Sequence, residues 1–243
     1  MSLPILISAD SFQDSWLEAT TKLSENHWEI WNIVTHIKNP LIIDETFHQK
    51  MDVFSRGNDI LNPKAVCYTI FPFHLYNQSL NRTSLYNKYI ERFYPRTQSQ
   101  LKHTNWGTYF QRMISYSTEK VNQLENIISA INNRKVDSKA AFTIIIQKPG
   151  SETIRKMGSP CLNYIAVQIC THSKTISLLA TYRNHDYLNK TYGNYWGLCE
   201  LLKFLCRETG YNIGSVTCVS SHAYVEGKKI ELKKLLEELN GIS

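Results

Sequence analysis

The chain has 243 residues, 42% of them hydrophobic, which is enough for one large core. Its formal net charge of +6 comes from scattered Lys and Arg without a basic block, so a phosphorylated small molecule suits it better than nucleic acid. Six cysteines lie mostly in apolar runs and none forms a C-x-x-C pair, so neither a disulfide framework nor a metal site is indicated. No apolar segment opens the chain as a signal peptide would, and none is long enough to cross a bilayer. The expectation is a cytoplasmic protein with reduced thiols and no membrane partner.

In chain order, Leu3 to Ser8 suits a first strand or an arm. Asp10 and Ser11 can cap a helix through about Leu23. Trp28 to Ile37 is β-branched and aromatic, and predicts a strand ended by Asn39-Pro40. Ile42 to Phe54 predicts a helix. After the break at Asn62-Pro63, Ala65 to Phe71 reads as a buried strand closed by Pro72. Ser84 to Phe93 reads as a short amphipathic helix stopped by Pro95. The aromatic stretch Asn105 to Met113 (NWGTYFQRM) has no assignment. Val121, Leu124, Ile127, Ile128 and Ile131 follow helical spacing within a helix from Glu119 to Ile131.

Ala140 to Gln147 predicts a strand. Tyr164 to Cys170 and Ile176 to Arg183 predict a hairpin around His172-Ser173-Lys174. A deeply buried helix from Asn194 to Glu208 ends at Gly210. Ser215 to Val219 predicts a further strand, and Lys229 to Leu239 an amphipathic final helix. The fold class is α+β: a single domain whose mixed or antiparallel sheet has helices packed on it. Residues 1–118 form a divergent amino-terminal half, and 119–243 carry the residues of chemical interest.

Those residues run from Gly158 to Tyr224. Cys161 follows Pro160 at the start of a strand, where a ligand can reach a thiol. It is either a buried structural cysteine or a nucleophile activated by a cation. If the hairpin pairs as predicted, its outer ends bring Arg183 to Cys161. Arg183 follows an apolar strand, and either pairs with Asp186 or binds an anion with its planar fork. Asn194 is either a helix N-cap or a carboxamide matched to a base edge. His222 and Tyr224 alternate along an extended run and share a face. They can hold a sugar hydroxyl, or His222 can be a satisfied core histidine.

At these residues the chain resembles the thymidylate synthase family, which includes the pyrimidine hydroxymethylases. The family's Pro-Cys is Pro160-Cys161, and its Arg-Ser-x-Asp is Arg183-Asn184-His185-Asp186. Its base-recognising asparagine is Asn194, eight residues after Asp186. Its His-x-Tyr is His222-Ala223-Tyr224, and an upstream Asp-Ser-Arg-Arg corresponds to Asp137-Ser138-Lys139-Ala140. NWGTYFQRM is similar to an aromatic-Gln-Arg segment. The likeness covers about Val121 to Tyr224. No single motif is specific; the order and spacing together are.

The resemblance implies a thymidylate synthase-like fold and an enzyme that adds a one-carbon unit to C5 of a uracil-type nucleotide through a Cys161 adduct. It implies a pyrimidine nucleoside monophosphate as partner, 5,10-methylenetetrahydrofolate as cofactor and a homodimer paired through its sheets. Arg183 would bind the phosphate and favour the thiolate, with Asn184 beside it and Lys139 as a second cation from across the interface. Asp186 and Asn194 would fix the base and serve catalysis, and His222 and Tyr224 would hold the sugar. The alternatives are a non-catalytic nucleotide-binding protein and a structural dimeric subunit on the same fold. Departures are Leu162 in place of a histidine, Asn184 in place of a serine, and Ala140 in place of an arginine. The amino-terminal phosphate loop and a catalytic glutamate have no match. The chain also ends 19 residues after Tyr224, where the synthases run on into a tail that closes over folate.

Overall fold

The computed structural model describes residues 3–100, 106–133, 142–150, 152 and 158–241. In chain order its elements are β1 (Ile5–Ala9), α1 (Phe12–Glu25), β2 (Glu29–Ile37), α2 (Glu45–Gly57), α3 (Pro63–Ile70), α4 (Phe73–Asn77), α5 (Arg82–Lys88), α6 (Tyr94–Gln100), α7 (Tyr109–Ile114) and α8 (Gln123–Asn132). There follow β3 (Phe142–Ile145), β4 (Leu162–Cys170), β5 (Thr175–Tyr182), β6 (His185–Asp186), α9 (Thr191–Thr209), β7 (Asn212–Tyr224) and α10 (Lys229–Asn240).

The strands form one mixed sheet in the order β1-β2-β7-β5-β4-β3, with β6 continuing the β5 edge of β7. β1 runs parallel to β2, and β5 and β6 run parallel to β7; the other pairs are antiparallel. This is an α+β domain, as expected. The predicted hairpin forms as β4 and β5, with Arg183 N–H donating to Cys161 O at 2.9 Å where its outer ends meet.

Cross-strand rows set the two faces. Thr35, Cys218, Ala180, Ile165 and Ile144 pair in sequence across five strands, and all are buried. Next to them runs Ile33, Ser220, Tyr182 and Leu162. These rows face the helices, for Thr35 Oγ1 lies 2.9 Å from Tyr195 Oη on α9. The opposite rows, such as Val34, Val219, Thr181, Tyr164 and Ile145, are half-buried or exposed. The contacts of α1, α7, α8 and α9 with the sheet lie on the first face, leaving the second open among the described residues.

Near one end the pleat changes phase. On β2, Ile30 and Ile33 are both buried, three residues apart, with Asn32 at φ 62° between them. On β7 the same step separates Ser220 from Ala223. Arg183 and Asn184 interrupt β5 from β6 at that level, and β4 carries an extra residue between Leu162 and Tyr164. Four neighbouring strands therefore break their alternation on one line, as bulged strands do when they bend a sheet.

The structure corrects several predicted elements. Ala65 to Phe71 is not a strand: α3 spans Pro63–Ile70, and Asn62 accepts from the N–H groups of Lys64 and Ala65. An Asn N-cap followed by Pro at the first helical position starts a helix as readily as Asn-Pro ends a segment. Its buried residues Pro63, Val66, Cys67 and Ile70 are spaced i, i+3, i+4 and i+7, one face of a helix that the run of apolar residues concealed. Pro95 does not stop the helix before it. α5 passes through a widened π turn at Tyr89–Phe93 into α6, where Tyr94 N–H reaches Tyr89 O. That turn carries the chain past a residue without an N–H. α2 starts at Glu45, where Asp44 accepts from Phe47 N–H at 3.0 Å, rather than at Ile42. α8 starts at Gln123, after a bridge between Tyr116 and Val121 occupies the preceding residues. β7 is far longer than Ser215 to Val219 because neighbours pair along both of its edges. β3 is short, and Ala140 lies outside the described residues.

Two glycines set the approach of α3 to α9. A Cβ on Gly193 would lie 2.5 Å from Pro63 O, and one on Gly197 would lie 2.9 Å from Cys67 O. The close contact fixes α3, which carries Val66 and Thr69 into the pocket described below. In an open helix, Gly→Ala gains about 1 kcal/mol. Here Gly197→Ala is expected instead to lose about 1–3 kcal/mol by overpacking. Urea denaturation reads the sign; a more stable variant would refute the close-packing account.

Candidate functional site

The sheet's phase break opens a cavity of about 230 Å3. Its walls come from α3 (Val66, Thr69), residues 106–109, the loop before β4 (Gly158, Ser159, Cys161), residues 184–186, Lys190, Asn194 and Tyr224. Asp186 is the one carboxylate among its described lining residues.

Cys161 is half-buried at the start of β4. Arg183 closes over it from behind, donating its backbone N–H to Cys161 O at 2.9 Å and its Nε–H to Pro160 O at 3.2 Å. Burial pushes the Cys161 thiol up; Arg183 and Lys190 pull it down, and Asp186 adds to the rise. Tyr109, from the stretch without a predicted assignment, is buried and lines the cavity beside the same thiol.

Asp186 does not spend its carboxylate on Arg183. Oδ1 accepts from the N–H groups of Leu188 and Asn189, each at 3.0 Å, and Oδ2 accepts from Asn189 Nδ2 at 2.9 Å. Its backbone oxygen takes Lys190 N–H and Thr191 Oγ1–H. Asp186 thus builds the turn from β6 into α9, and the turn aims Lys190 and Asn194 at the cavity.

Asn194 is not an N-cap. It lies inside the first turn of α9, where its N–H already bonds Lys190 O at 2.9 Å. Its carboxamide is buried; Nδ2 lies 3.1 Å from His185 Nε2, and Oδ1 has no partner among the described residues. The second Nδ2 hydrogen and Oδ1 together leave one donor and one acceptor for a ligand. Ser159 Oγ, also buried in the lining, is unpartnered too.

His222 stands behind the cavity. Its Nδ1 lies 3.0 Å from Asn184 Oδ1 and its Nε2 lies 2.7 Å from Glu29 Oε1, while its ring stacks on Trp31 at 4.4 Å. Both nitrogens are engaged, so His222 meets the cavity through Asn184. Tyr224 lines the cavity directly and stacks on His222 at 5.3 Å. Burial pushes its phenol up to about 12, so the hydroxyl is a proton donor at neutral pH.

The structure therefore groups Cys161, Asn184, Asp186, Asn194 and Tyr224 around one cavity, with Arg183 and His222 immediately behind it. Lys139 lies outside the described residues. Sequence reasoning missed Lys190, which keeps an exposed surface yet lines the cavity. Loss of water there lowers its ammonium pKa, while Asp186 and Cys161 oppose the shift. Its signal was position: it stands four residues before Asn194, hence one helical turn away. His185 was missed as well. It was read as filler in the arginine motif, but it is fully buried and holds Asn194. The NWGTYFQRM stretch lines the cavity with Trp106, Thr108 and Tyr109, and buried Arg112 anchors it. Arg112 donates to Trp106 O at 2.9 Å and pairs with Glu152 at 2.5 and 2.8 Å.

Burial pushes the His185 imidazole down to about 3 from an ordinary 6.5. Between those values the unfolded chain takes up a proton that the folded one refuses. This contribution to stability is therefore complete above pH 6.5 and is lost as pH falls, by up to about 1.4 kcal/mol per unit. Urea denaturation at pH 7 and pH 5 is expected to show a smaller loss in His185→Gln than in wild type, by about 1–2 kcal/mol. Equal losses would mean that His185 takes up a proton in the folded state.

No family model matches the chain. Two curated archaeal proteins are similar to part of it, both named "Putative thymidylate synthase". The one from Methanococcoides burtonii is 28% identical over 118 residues, covering 49% of this chain and 52% of that protein. The one from Methanocaldococcus jannaschii is 29% identical over 136 residues, covering 54% of this chain and 60% of that protein. The chain thus spans about half to three fifths of the length of the curated relatives it matches. Together these similarities support a distant thymidylate synthase-like relationship.

Proposed function

We propose that the cavity binds a uracil-type pyrimidine nucleoside monophosphate and that Cys161 adds to its base, preparing C5 to receive a one-carbon unit. The observation that carries this reading is the buried Asn194 carboxamide, its oxygen unpartnered, in the same cavity as the Cys161 thiol. A uracil edge supplies what that amide lacks: N3–H for Oδ1 and a carbonyl for the remaining amide hydrogen. The named relatives favour the same chemistry.

In this reading Arg183 and Lys190 attract the phosphate, Asn184 and Tyr224 meet the sugar, and His222 positions Asn184. Asp186 holds the turn that presents Asn194. Lys139 retains its proposed place as a second phosphate cation from a partner subunit. Cys161 first gives up its proton, and the two neighbouring cations favour the resulting thiolate. Sulfur then bonds to C6, the C5=C6 pair moves toward C5 and the adjacent carbonyl, and C5 becomes nucleophilic. Methylenetetrahydrofolate supplies the one-carbon unit when bound. A cavity of about 230 Å3 is small for a base and a pteridine together, so the described residues do not fit the folate.

Intact-mass measurement after incubation with 5-fluoro-dUMP, with and without methylenetetrahydrofolate, tests the reading. The expected result is one covalently added nucleotide, lost in Cys161→Ser. Arg183→Ala should weaken nucleotide binding by about 10- to 100-fold, the range for a charge-assisted hydrogen bond. Tight binding with neither an adduct nor tritium release from C5-labelled substrate would replace catalysis with simple nucleotide binding. The rise that burial imposes on the Cys161 pKa favours that second reading.

We further propose that two copies pair through the open sheet face. Its alternating rows, Val34–Val219–Thr181–Tyr164 and His36–Thr217–Leu179–Ala166, give a largely apolar, β-branched surface. Sedimentation at micromolar concentration should give twice the chain mass, falling to one chain in Thr181→Arg. A monomeric wild type would sink the pairing.

A further inference from the structure

Bonding of sulfur to C6 leaves a second task, because C5 must then gain a hydrogen or lose one. The titratable groups among the described cavity residues are Tyr109, Cys161, His185, Asp186, Lys190 and Tyr224. All but Lys190 are committed. Cys161 is the nucleophile. Asp186 accepts from Leu188 and Asn189 with its two carboxylate oxygens. His185 has Ser220 Oγ 2.8 Å from Nδ1 and Asn194 Nδ2 3.1 Å from Nε2. Burial pushes the phenols of Tyr109 and Tyr224 up, so both keep their protons at neutral pH.

The fold does not call for a lysine at position 190. It is the N-cap of α9, where Ser, Thr, Asp and Asn serve because their oxygens accept from the first helical N–H groups; a lysine can only donate. Lys190 makes no side-chain cap, and its charge meets the positive end of a 19-residue helix. Its ammonium forms no hydrogen bond or ion pair with a described residue, and its side chain lines the cavity. Loss of water lowers its ammonium pKa, Asp186 and Cys161 oppose the shift, and the helix end acts in the same sense as the loss of water.

We propose that Lys190 is the proton-transfer residue of this site: its Nζ delivers a hydrogen to C5 and takes one back, so the chain exchanges the C5 hydrogen of a uracil nucleotide with water without a one-carbon donor. The inference rests on the uracil-nucleotide reading above. As the Cys161 thiolate bonds to C6, the C5=C6 pair moves onto C5, and C5 takes a proton from the Lys190 ammonium; one N–H bond breaks and one C5–H bond forms. The ion pair becomes a thioether and a neutral amine, and a cavity that penalises both charges favours those products. In reverse, the amine takes a hydrogen from C5, the C5–H pair re-forms C5=C6, and sulfur leaves with the C–S pair. Part of Lys190 is exposed, so its ammonium hydrogens exchange with water between turns. In an anti pyrimidine nucleotide the C5–C6 edge lies on the side of the 5′-phosphate, so a cation placed for the phosphate is placed for that edge as well.

Tritium release from dUMP labelled at C5, with dUMP affinity measured by calorimetry, tests this on the whole chain. Arginine keeps the charge and holds its proton. Lys190→Arg is therefore expected to lower release at saturating dUMP by about 100-fold or more, with affinity within about threefold of wild type. Lys190→Ala should lose release as well and regain part of it with added ethylamine, which neither a packing role nor a charge role produces. Thermal unfolding checks that both variants are folded. Release from Lys190→Arg at the wild-type rate would overturn the role and leave the nucleotide reading standing, with Lys190 serving the phosphate by charge alone. A wild type that forms the 5-fluoro-dUMP adduct yet releases no tritium overturns the proton transfer by itself. A wild type with neither adduct nor release refutes the proposed function, and this inference with it.

Discussion

β7 is paired along both edges, to β2 on one side and to β5 and β6 on the other, and the site exists where that pairing changes phase. A strand alternates its side chains strictly, so a regular β7 would send His222 to the helix face with Ser220. The step at Ser221, matched by Asn32 on β2 and by the gap at Arg183-Asn184, prevents this. It keeps Ser220 and Ala223 buried while His222 and Tyr224 turn toward the end of the sheet. The same bend carries Arg183 over the Cys161 backbone. The cost is one left-handed non-glycine residue and several interrupted ladder bonds, tolerated because asparagine takes that conformation more easily than most.

Around this bend the cavity balances burial against charge. Burial raises the Cys161 thiol and lowers the Lys190 ammonium, so each becomes easier to hold uncharged. Their mutual attraction, with Arg183 behind, opposes that trend. An arriving anion would add to the cationic side of the balance, which makes thiol reactivity depend on what occupies the cavity. The polar groups committed to the protein itself matter as much. Asp186 and His185 spend their hydrogen bonds on a turn and on an amide, and those hydrogen bonds give the lining side chains one orientation each.

Much of this was legible in the residues. The Ser11 cap of α1, the β4–β5 hairpin and the meeting of Cys161 with Arg183 follow from local pattern and short-range pairing. Asn194 and Tyr224 were singled out from their local pattern and from the family resemblance, and both line the cavity. What failed did so for identifiable reasons. α3 is short, and its contiguous apolar run masked the helical spacing of Pro63, Val66, Cys67 and Ile70. Pro95 looked like a stop because the π turn that lets the chain continue has no sequence mark. Lys190 and His185 were passed over because their roles depend on partners far away in the chain, or on which way a helix turn faces.

The sequence by itself determined the α+β alternation, the hairpin and the run of polar residues from Cys161 to Tyr224, because each depends on neighbours within a few positions. Tertiary structure decided the rest. The close approach of α3 to Gly193 and Gly197 and the common line of bulges across four strands join residues more than a hundred positions apart. So does the buried hydrogen bond between Thr35 and Tyr195. The residue types could offer Asn194 as a reader of bases, and only the packed core could say that its amide nitrogen meets His185 while its oxygen is left without a partner among the described residues.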